Sequence, residues 1–276
     1  MGFEFQEGKS YLMPAHFREI DDKEGIVDNV VKDFLPGENG TMVGAMIPID
    51  ADAVSAYLPP GFSVVEPATL IIGYLRGPAA NHCGGRTINT VTVDVTARFD
   101  GEEDHKEGRF NLVIFENEPY WPALGRERVG APKMLADISE VWSKDSSYGF
   151  TVSERGNTIL EVEFSNLERI PENILEAQLE EAAGDAWMTW KYIPSVTPGE
   201  FDANYPVLMD VTYIGVTEAH AGDAKIRFHG LNETQSPQFH QVSAKLAELT
   251  PNVEGVAIYS RLETARMDVS KMRKLK

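Results

Sequence analysis

Most segments of the chain alternate between apolar and polar side chains with a period of two, the pattern of a β-strand with one buried face. In "INTVTVDVTARF" (88–99) the valines fall on one face, while the threonines and Asp94 fall on the other. We expect the valine face to line a core or a cavity. β-Branched and aromatic residues, separated by turn clusters such as "LPPGF" and "ERGN", extend the prediction to further antiparallel strands. The predicted strands are 41–49, 69–76, 88–99, 110–116, 157–165, 207–216 and 224–230.

Helical patterns are few and short. A capping residue or an early proline opens the predicted helices, which are 50–58, 171–186 and 239–249. No repeat, low-complexity tract or long flexible linker divides the sequence, so we expect residues 1–276 to form a single domain. The predicted fold class is mainly β with a few helices, and a closed barrel would leave no exposed sheet edge.

The composition narrows the range of partners. Of the 276 residues, 42% are hydrophobic and 25% are charged, which is ordinary for a soluble globular protein. No apolar run reaches the roughly 18 residues that span a bilayer, the N-terminus lacks a secretory pattern, and the lone Cys83 excludes an intramolecular disulfide. We therefore expect a cytoplasmic protein without a membrane partner. A formal net charge of −18 would repel a phosphate backbone, so we expect no nucleic-acid partner and interpret the acidic surface as solubilising.

The stretch "GRERVGAPKM" (125–134) holds a lysine in an unusually restricted place. Pro132 fixes its own φ and pushes Ala131 towards an extended conformation, which aims Lys133 in a defined direction. Immobilising a lysine side chain costs rotamer entropy. A fixed direction is nevertheless useful for a nucleophile, because its reacting atom must point at the substrate. By spacing alone, however, a surface or salt-bridged lysine after a turn is the commoner interpretation.

No pattern in the sequence predicts a metal site or a cofactor. His82 and Cys83 are adjacent but have no second ligand pair at a metal spacing, and the chain contains neither HExxH nor Gly-x-Ser-x-Gly. The glycine-rich "GPAANHCGG" lacks the lysine and the helix of a phosphate loop, and we interpret it as a flexible turn or lid.

The longer stretch "FENEPYWPALGRERVGAPKM" resembles the acetoacetate decarboxylase superfamily, whose signature is Asn-Glu-Pro, then Gly-Arg-Glu, then Pro-Lys. The resemblance extends over roughly residues 38 to 270. It implies a closed antiparallel β-barrel with a buried cavity, a homo-oligomer, and a lysine that forms a Schiff base with a substrate ketone. On this resemblance Lys133 is the Schiff-base lysine, and Glu118, Arg126 and Glu127 belong to the shell that supports it.

The chain also departs from the pattern of the superfamily. Met134 stands where authentic decarboxylases have a second lysine. The carboxylates expected on the two preceding strands align with Ile71 or Ile72 and with Ile88 or its neighbours, and the expected N-terminal arginine aligns near Gly40. The Schiff-base position is therefore retained, while the polar set that is specific to acetoacetate is absent from these positions.

An amine attacks a ketone only through its lone pair, whereas a lysine with a pKa of about 10.4 is protonated at pH 7. Because Met134 removes the neighbouring cation, we expect desolvation to lower the pKa of Lys133, with Arg126 as a secondary cation. The apolar side chains expected to exclude water, besides the isoleucines of the strands, are Tyr120, Trp121, Met134 and Leu135. Without the resemblance, adjacent aromatic residues such as Tyr120 and Trp121 more often pack in a core than hold a substrate.

Three functions remain open at this point. The first is a Schiff-base carbon–carbon lyase that decarboxylates a β-keto acid without a cofactor. It is the preferred function, because decarboxylation needs few acid–base groups and the expected cavity has few titratable residues. The second is an aldolase-dehydratase that acts on pyruvate and an aldehyde; it needs a general acid or base, for which Glu118 and Tyr259 are the candidates. The third is a non-catalytic barrel that binds a small hydrophobic ligand.

Overall fold

The structure, a computed structural model, describes residues 5–7, 9–17, 19–20, 39–80, 85–182, 186–209, 213–249, 254–266 and 272–276. The strands are β1 (Ser10–Tyr11), β2 (Glu19–Ile20), β3 (Gly40–Pro48), β4 (Phe62–Val64), β5 (Thr69–Ala80), β6 (Arg86–Asp100), β7 (His105–Glu116), β8 (Lys133–Leu135), β9 (Asp137–Ile138), β10 (Trp142–Lys144), β11 (Ser147–Glu154), β12 (Asn157–Arg169), β13 (Ala186–Pro194), β14 (Phe201–Leu208), β15 (Tyr213–Phe228), β16 (Gly255–Arg266) and β17 (Arg273–Lys274). The helices are α1 (Ala51–Ser55), α2 (Tyr120–Val129), α3 (Glu172–Ala182) and α4 (His240–Glu248). Within the described ranges, no helix is long and apolar enough to cross a membrane.

The alternation predicted for residues 88–99 is present in β6. Its valines are at most 1% exposed and belong to the main core. The other face is polar, as predicted, but it is not open to water throughout, because Asp94 is completely buried. Its carboxylate accepts hydrogen bonds from Thr92 Oγ1 at 3.0 Å and from Asn111 Nδ2, and burial raises the pKa of Asp94. Both faces of this strand are therefore covered around Asp94.

The mainly β fold is confirmed, but the closed antiparallel barrel is not what the described residues form. Their large sheet follows the order β10–β11–β12–β15–β16–β3–β5–β6–β7–β13–β14–β17, so β10 and β17 are its ends. Two of its pairings, β7 with β8 and β7 with β13, are parallel. The parallel pairing with β8 arises because the chain leaves β7, passes through α2 and returns alongside it.

The segment from Lys133 to Ile138 joins two distant parts of this sheet. Its first half, β8, pairs with β7, and its second half, β9, pairs with β11. Between them Ala136 N–H donates to the Glu116 carbonyl at 2.9 Å. The gap between β7 and β11 is thus spanned by one chain segment rather than by a continuous ladder, which is why the sheet is not closed.

Alternation along β7 assigns its side chains to two different environments. Val113 and Phe115 point into the main core, which also contains Leu246 of α4 and Phe239, the residue before α4. Ile114 points the other way, into a smaller cluster that includes Ala131, Trp187 and Met209. Because successive side chains of a strand alternate, the last residue of β7 shares the side of Ile114. The candidate site is built on that side.

Candidate active site

A tight turn at the end of α2 aims the candidate lysine. Gly130 ends the helix with φ of 74°, a left-handed conformation that glycine adopts without strain. The following N–H, that of Ala131, donates to the Gly125 carbonyl at 3.1 Å. Lys133 N–H then donates to the Ala131 carbonyl at 2.7 Å, so Pro132 is the centre of a three-residue turn. The restriction predicted for this lysine therefore has a definite geometric origin.

The lysine side chain lies against a gap in the surface of α2. A Cβ added at Gly125 would lie 2.5 Å from Lys133 Cδ and 2.7 Å from Cε. Only glycine leaves room for the stem at this point of the helix. One residue further on, Arg126 Nη1 donates to the Lys133 carbonyl at 3.2 Å. The helix thus holds both the backbone and the side chain of Lys133.

The partner of the lysine ammonium is Glu116, the last residue of β7. Lys133 Nζ lies 2.7 Å from Glu116 Oε1, and the two side chains are 12% and 4% exposed. Thr90 Oγ1 lies 3.5 Å from the same oxygen, whereas the buried Oε2 has no hydrogen-bond partner among the described residues. Burial raises the pKa of the Glu116 carboxyl, and the charge of Lys133 opposes the rise. A largely buried amine and a buried carboxyl group are therefore in direct hydrogen-bonding contact.

The polar residues predicted to support the lysine occupy different places. Arg126 contacts the lysine segment through the Lys133 carbonyl. Glu127 Oε2 accepts from the N–H of Met13 at 3.1 Å, so it anchors the N-terminal segment to α2. Glu118 is buried but is engaged by Arg86, through Nε–Oε2 at 2.9 Å and Nη2–Oε1 at 3.1 Å. The structure therefore does not bring the Glu118 carboxylate to Lys133, because the chain turns away after β7.

The other candidate for proton transfer, Tyr259, lies on the opposite side of the sheet. Its ring stacks 6.2 Å from that of Phe164 and packs against the main core. Met134 also packs against that core, since it is the neighbour of Lys133 on β8 and points the other way. Neither side chain shares the environment of the lysine amine.

Among the described residues, the surroundings of Lys133 include a carboxylate as well as apolar side chains. Tyr120 is 36% exposed and Leu135 is 45% exposed, so both reach solvent, while the side chain of Trp121 lies outside the described parts of the chain. Desolvation by apolar groups alone is thus the wrong description of the site, because a carboxylate oxygen lies 2.7 Å from the amine. The cation expected at Arg126 contacts the backbone of Lys133 rather than its amine.

Sequence reasoning missed Glu116, although a signal was present. In "FNLVIFE" the alternation places Glu116 on the side opposite Phe115, and the strand that follows α2 begins with Lys133. What the sequence does not state is the parallel register of Ile114 with Lys133, which brings the amine to the level of Glu116. The sequence instead suggested Glu118, a residue of the motif, as a candidate general acid or base.

A cavity of about 500 Å³ lies near the site but does not contain the amine. It opens where β8 and β13 diverge from β7, and Leu112, Trp190 and Leu246 contribute to its walls. Pro132 lines it, whereas Lys133 does not. Among the described residues no group of three His, Cys, Asp or Glu side chains could hold a metal ion, and His82 and Cys83 lie outside those residues.

Comparison with known proteins decides the family. The model of the acetoacetate decarboxylase family matches residues 13–269. The chain belongs to the acetoacetate decarboxylase family. This family assignment confirms the resemblance that was based on the residues from Phe115 to Met134. No curated protein matches the sequence.

Several solved structures share the fold of this acetoacetate decarboxylase family member. The acetoacetate decarboxylase of Legionella pneumophila superposes with a TM-score of 0.61 at 19% identity, covering 83% of this chain and 84% of that one. An acetoacetate decarboxylase-like enzyme from Sphingomonas wittichii RW1 gives 0.58 at 16% identity, covering 83% and 91%. The enduracididine biosynthesis enzyme MppR gives 0.58 at 15% identity, covering 86% of each chain. At these identities the comparison concerns the fold.

Proposed function

We propose that the protein is a Schiff-base-forming carbon–carbon lyase in which Lys133 condenses with the ketone of a small or medium oxo acid. The observation that carries this proposal is the buried contact between Lys133 Nζ and Glu116 Oε1 at 2.7 Å. Membership of the acetoacetate decarboxylase family supports it. A structural ion pair would need neither a glycine gap for the lysine stem nor a carboxylate oxygen that has no partner among the described residues.

Glu116 supplies the proton chemistry that the amine needs. An attacking amine must first lose a proton, and a carboxyl group whose pKa is raised by burial accepts one more readily than an ordinary carboxylate. The free Oε2 faces no described donor, so it is available to a substrate or an intermediate. A buried acceptor without a partner is otherwise unfavourable by about 1–3 kcal/mol. Glu116 is therefore the general acid and base of the proposed reaction.

The first reaction that we propose is decarboxylation of a β-keto acid. The neutral amine of Lys133 adds to the ketone carbon, the ketone oxygen leaves as water with protons passed by Glu116, and a protonated imine results. The bond to the carboxylate then breaks, CO₂ departs, and the electron pair moves to the imine nitrogen to give an enamine. Glu116 returns a proton to the enamine carbon, and hydrolysis of the imine releases the ketone and restores the amine. In total, one β-keto acid anion and one proton give one ketone and one CO₂.

Glu116 also favours a second reaction, aldol condensation with dehydration. Removal of a proton beside the imine of a 2-oxo acid requires a base at the amine, and loss of water from the aldol product requires an acid. Glu116 lies in hydrogen-bonding distance of Lys133 and can serve both steps. MppR, which shares the fold at a TM-score of 0.54, has been crystallised with the condensation product of pyruvate and imidazole 4-carboxaldehyde. The partner of the proposed enzyme is in both cases a small oxo acid.

Borohydride trapping tests the proposed chemistry. The full chain is incubated with acetoacetate or pyruvate and reduced, and the mass of the peptide that contains Lys133 is measured. We expect a stable adduct on Lys133 in wild type and none in Lys133→Met. Release of CO₂ from acetoacetate, compared with formation of an unsaturated oxo acid from pyruvate and an aldehyde, then separates the two reactions.

A matched lysine controls for nonspecific reduction. Lys225 is 65% exposed and pairs with Glu254 at 2.7 Å, so a Lys225→Met variant removes an accessible amine from a similar ion pair. This variant is expected to trap the oxo acid on Lys133 as wild type does. Absence of an adduct with every oxo acid tested, in a folded protein, would reject the enzymatic proposal and leave non-catalytic binding of a small ligand.

A further inference from the structure

The cavity of about 500 Å³ lies in a fork of the large sheet, and we name it the fork cavity. β13 pairs with β7 at Gly108–Phe110, and β8 pairs with β7 at Ile114–Glu116. Between these pairings, residues 111–113 of β7 have no strand partner on that side among the described residues, and all three line the cavity. Its volume is in the range of pockets that hold small organic ligands, roughly 300–1,000 Å³.

The fork is bordered by specific backbone and side-chain features. β6 pairs with Asn111 and with Val113 but skips Leu112, which is therefore the extra residue of a β-bulge. On the other side of the fork, Thr189 Oγ1 of β13 donates to the Gly130 carbonyl at 3.2 Å, and Thr189 is buried. A bulge and a buried hydrogen bond thus keep the strands apart at this point, so the space between them is part of the fold.

The wall of the fork cavity includes a polar side chain with an unused acceptor. Asn111 lines the cavity and is only 2% exposed. Its Nδ2 donates to the Asp94 carboxylate, which fixes the orientation of the amide. Its Oδ1 is buried and has no hydrogen-bond partner among the described residues. Because a buried acceptor without a partner is unfavourable, a ligand that donates a hydrogen bond to this oxygen gains affinity.

Most of the remaining wall is apolar, and part of it is aromatic. Phe110 and Trp190 line the cavity and both contact the ring of Phe62, at centroid distances of 4.7 and 6.5 Å. Leu246 of α4 and Leu249 add aliphatic surface. Aromatic rings pack favourably against other rings in edge-to-face or offset arrangements. A flat aromatic ligand is therefore suited to this wall.

The charged residue of the wall does not favour an anionic ligand. Lys245 lines the cavity, but its Nζ lies 2.9 and 3.1 Å from the two carboxylate oxygens of Glu248. Tyr57, another wall residue, donates its hydroxyl to the same carboxylate at 2.7 Å. The positive charge of Lys245 is thus compensated within the protein. We therefore expect the ligand of the fork cavity to be neutral, unlike an oxo acid.

We propose that the fork cavity binds a neutral hydroxylated aromatic compound, whose hydroxyl group donates to Asn111 Oδ1 and whose rings pack against Phe110 and Trp190. The site is separate from the proposed Schiff-base chemistry, because Lys133 does not line the cavity. The two sites adjoin at Pro132, which lines the cavity and precedes the lysine in the chain. A ligand in the fork cavity therefore contacts the residue that sets the direction of Lys133.

A pair of probes tests the hydrogen bond in the unmodified protein. Binding of 1-naphthol and of its methyl ether, 1-methoxynaphthalene, to the full chain is measured by calorimetry. Both probes have the same rings, but only the naphthol can donate a hydrogen bond. We expect one 1-naphthol per chain, bound at least about tenfold more tightly than the ether, because the ether leaves the buried acceptor without a partner. No binding of 1-naphthol, or equal affinity for the two probes, would overturn the proposal.

A filled cavity tests where the probe binds. Val242 of α4 is half-buried and lines the cavity, so Val242→Trp is expected to occupy part of it and to weaken 1-naphthol binding at least about tenfold. The control Ile174→Trp adds an indole at an exposed position of α3 that does not line the cavity, and it should bind 1-naphthol as wild type does. Undiminished binding by folded Val242→Trp would contradict the assignment.

A competition experiment tests whether the two sites are separate. Saturating pyruvate is added to the complex of the wild-type chain with 1-naphthol, and the affinity for 1-naphthol is measured again. We expect it to stay unchanged. Displacement of 1-naphthol by pyruvate would overturn the proposal of a separate site, since the cavity would then belong to the oxo-acid site. Both this measurement and the two-probe comparison use the wild-type chain, so neither depends on the folding of a variant.

Discussion

The gap at Gly125 gives the sharpest prediction, because activity and stability should move in opposite directions. Gly125→Ala places a Cβ 2.5 Å from Lys133 Cδ and 2.7 Å from Cε, whereas carbon atoms in contact are about 3.5–4.0 Å apart. The lysine stem must therefore move by about 1 Å. Such a shift draws Nζ away from Glu116 Oε1, and a 1 Å misplacement of a reacting group costs about 10²-fold in rate.

The fold itself should tolerate Gly125→Ala. The atoms that the new methyl group meets belong to a flexible side chain, and alanine is favoured over glycine inside a helix by about 0.5–1 kcal/mol. We expect an unchanged or slightly raised melting temperature together with a roughly 10²-fold loss in kcat/KM and a matching loss of borohydride trapping on Lys133. If Gly125 had only a structural role, the melting temperature would fall together with kcat/KM and trapping.

A second glycine of the same segment provides the contrast. Gly130 has φ of 74°, and a Cβ there would lie 2.3 Å from Lys191 Cβ and 2.4 Å from its Cα. Gly130→Ala is therefore expected to lower the melting temperature, since both the backbone conformation and a backbone contact oppose it. Our reasoning is refuted if Gly125→Ala keeps full activity and full trapping, because the lysine position would then not depend on the gap.

Three further changes test other contacts. Glu116→Gln should lower kcat by about 10²- to 10⁴-fold while borohydride still traps some oxo acid on Lys133, since only proton transfer is impaired; equal loss of trapping would contradict this assignment. Arg126→Met should destabilise the fold by only about 1 kcal/mol, the value of one hydrogen bond to the lysine carbonyl, with a measurable rise in the unfolding rate of the site by hydrogen exchange. Two hydrogen bonds from Arg273, of 2.7 and 2.5 Å, lower the pKa of Asp104. The stabilisation that they give the folded protein is therefore present above the ordinary carboxyl pKa and is lost as the pH falls through the lowered pKa. The free energy of unfolding, measured by denaturation, should accordingly differ between Asp104→Asn and wild type at pH 7, and the two values should converge in strong acid.

The sequence predicted strands well where one face is apolar throughout. Residues 41–49, 69–76, 88–99 and 110–116 correspond to β3, β5, β6 and β7, each with longer or shifted ends. The prediction failed near residue 210, where one strand was expected over 207–216 but β14 ends at Leu208 and β15 begins at Tyr213. Residues 210–212 between them lie outside the described parts of the chain. Composition alone does not locate such a break.

The helix α2 was not predicted at all, and the reason is local. It contains Pro122 and Gly125, which are poor helix formers, and its pattern lacks a regular apolar stripe. Pro122 is tolerated because it lies in the first turn, where backbone N–H groups have no partner within the helix. The C-terminal carbonyls of Glu127 and Arg128 accept from Lys191 Nζ at 2.6 and 3.0 Å. Tertiary contacts from β13 thus stabilise a helix whose own sequence does not favour it.

The site shows the same limit of sequence reasoning. The motif identified Lys133 and Arg126, which the structure places in contact, and it suggested Glu118, which the structure places on Arg86. Glu116 could be found only by combining the alternation of β7 with the parallel register of β8. Register depends on how α2 returns the chain to the sheet, and no pattern within either strand encodes it.

That register also places Lys133 and Glu116 on one side of the sheet. On β7 and β8 the core residues Phe115 and Met134 are paired with each other, and Lys133 and Glu116 occupy alternate positions. A shift of β8 by one residue would point Met134 towards Glu116 and bury the Lys133 amine in the apolar core. The turn at Pro132 prevents that shift, because the Lys133 N–H is bound to Ala131 and the Pro132 carbonyl accepts from Ile114 N–H at 3.0 Å. The proline that restricts the lysine in the sequence therefore sets the face of the sheet on which the reaction is proposed to take place.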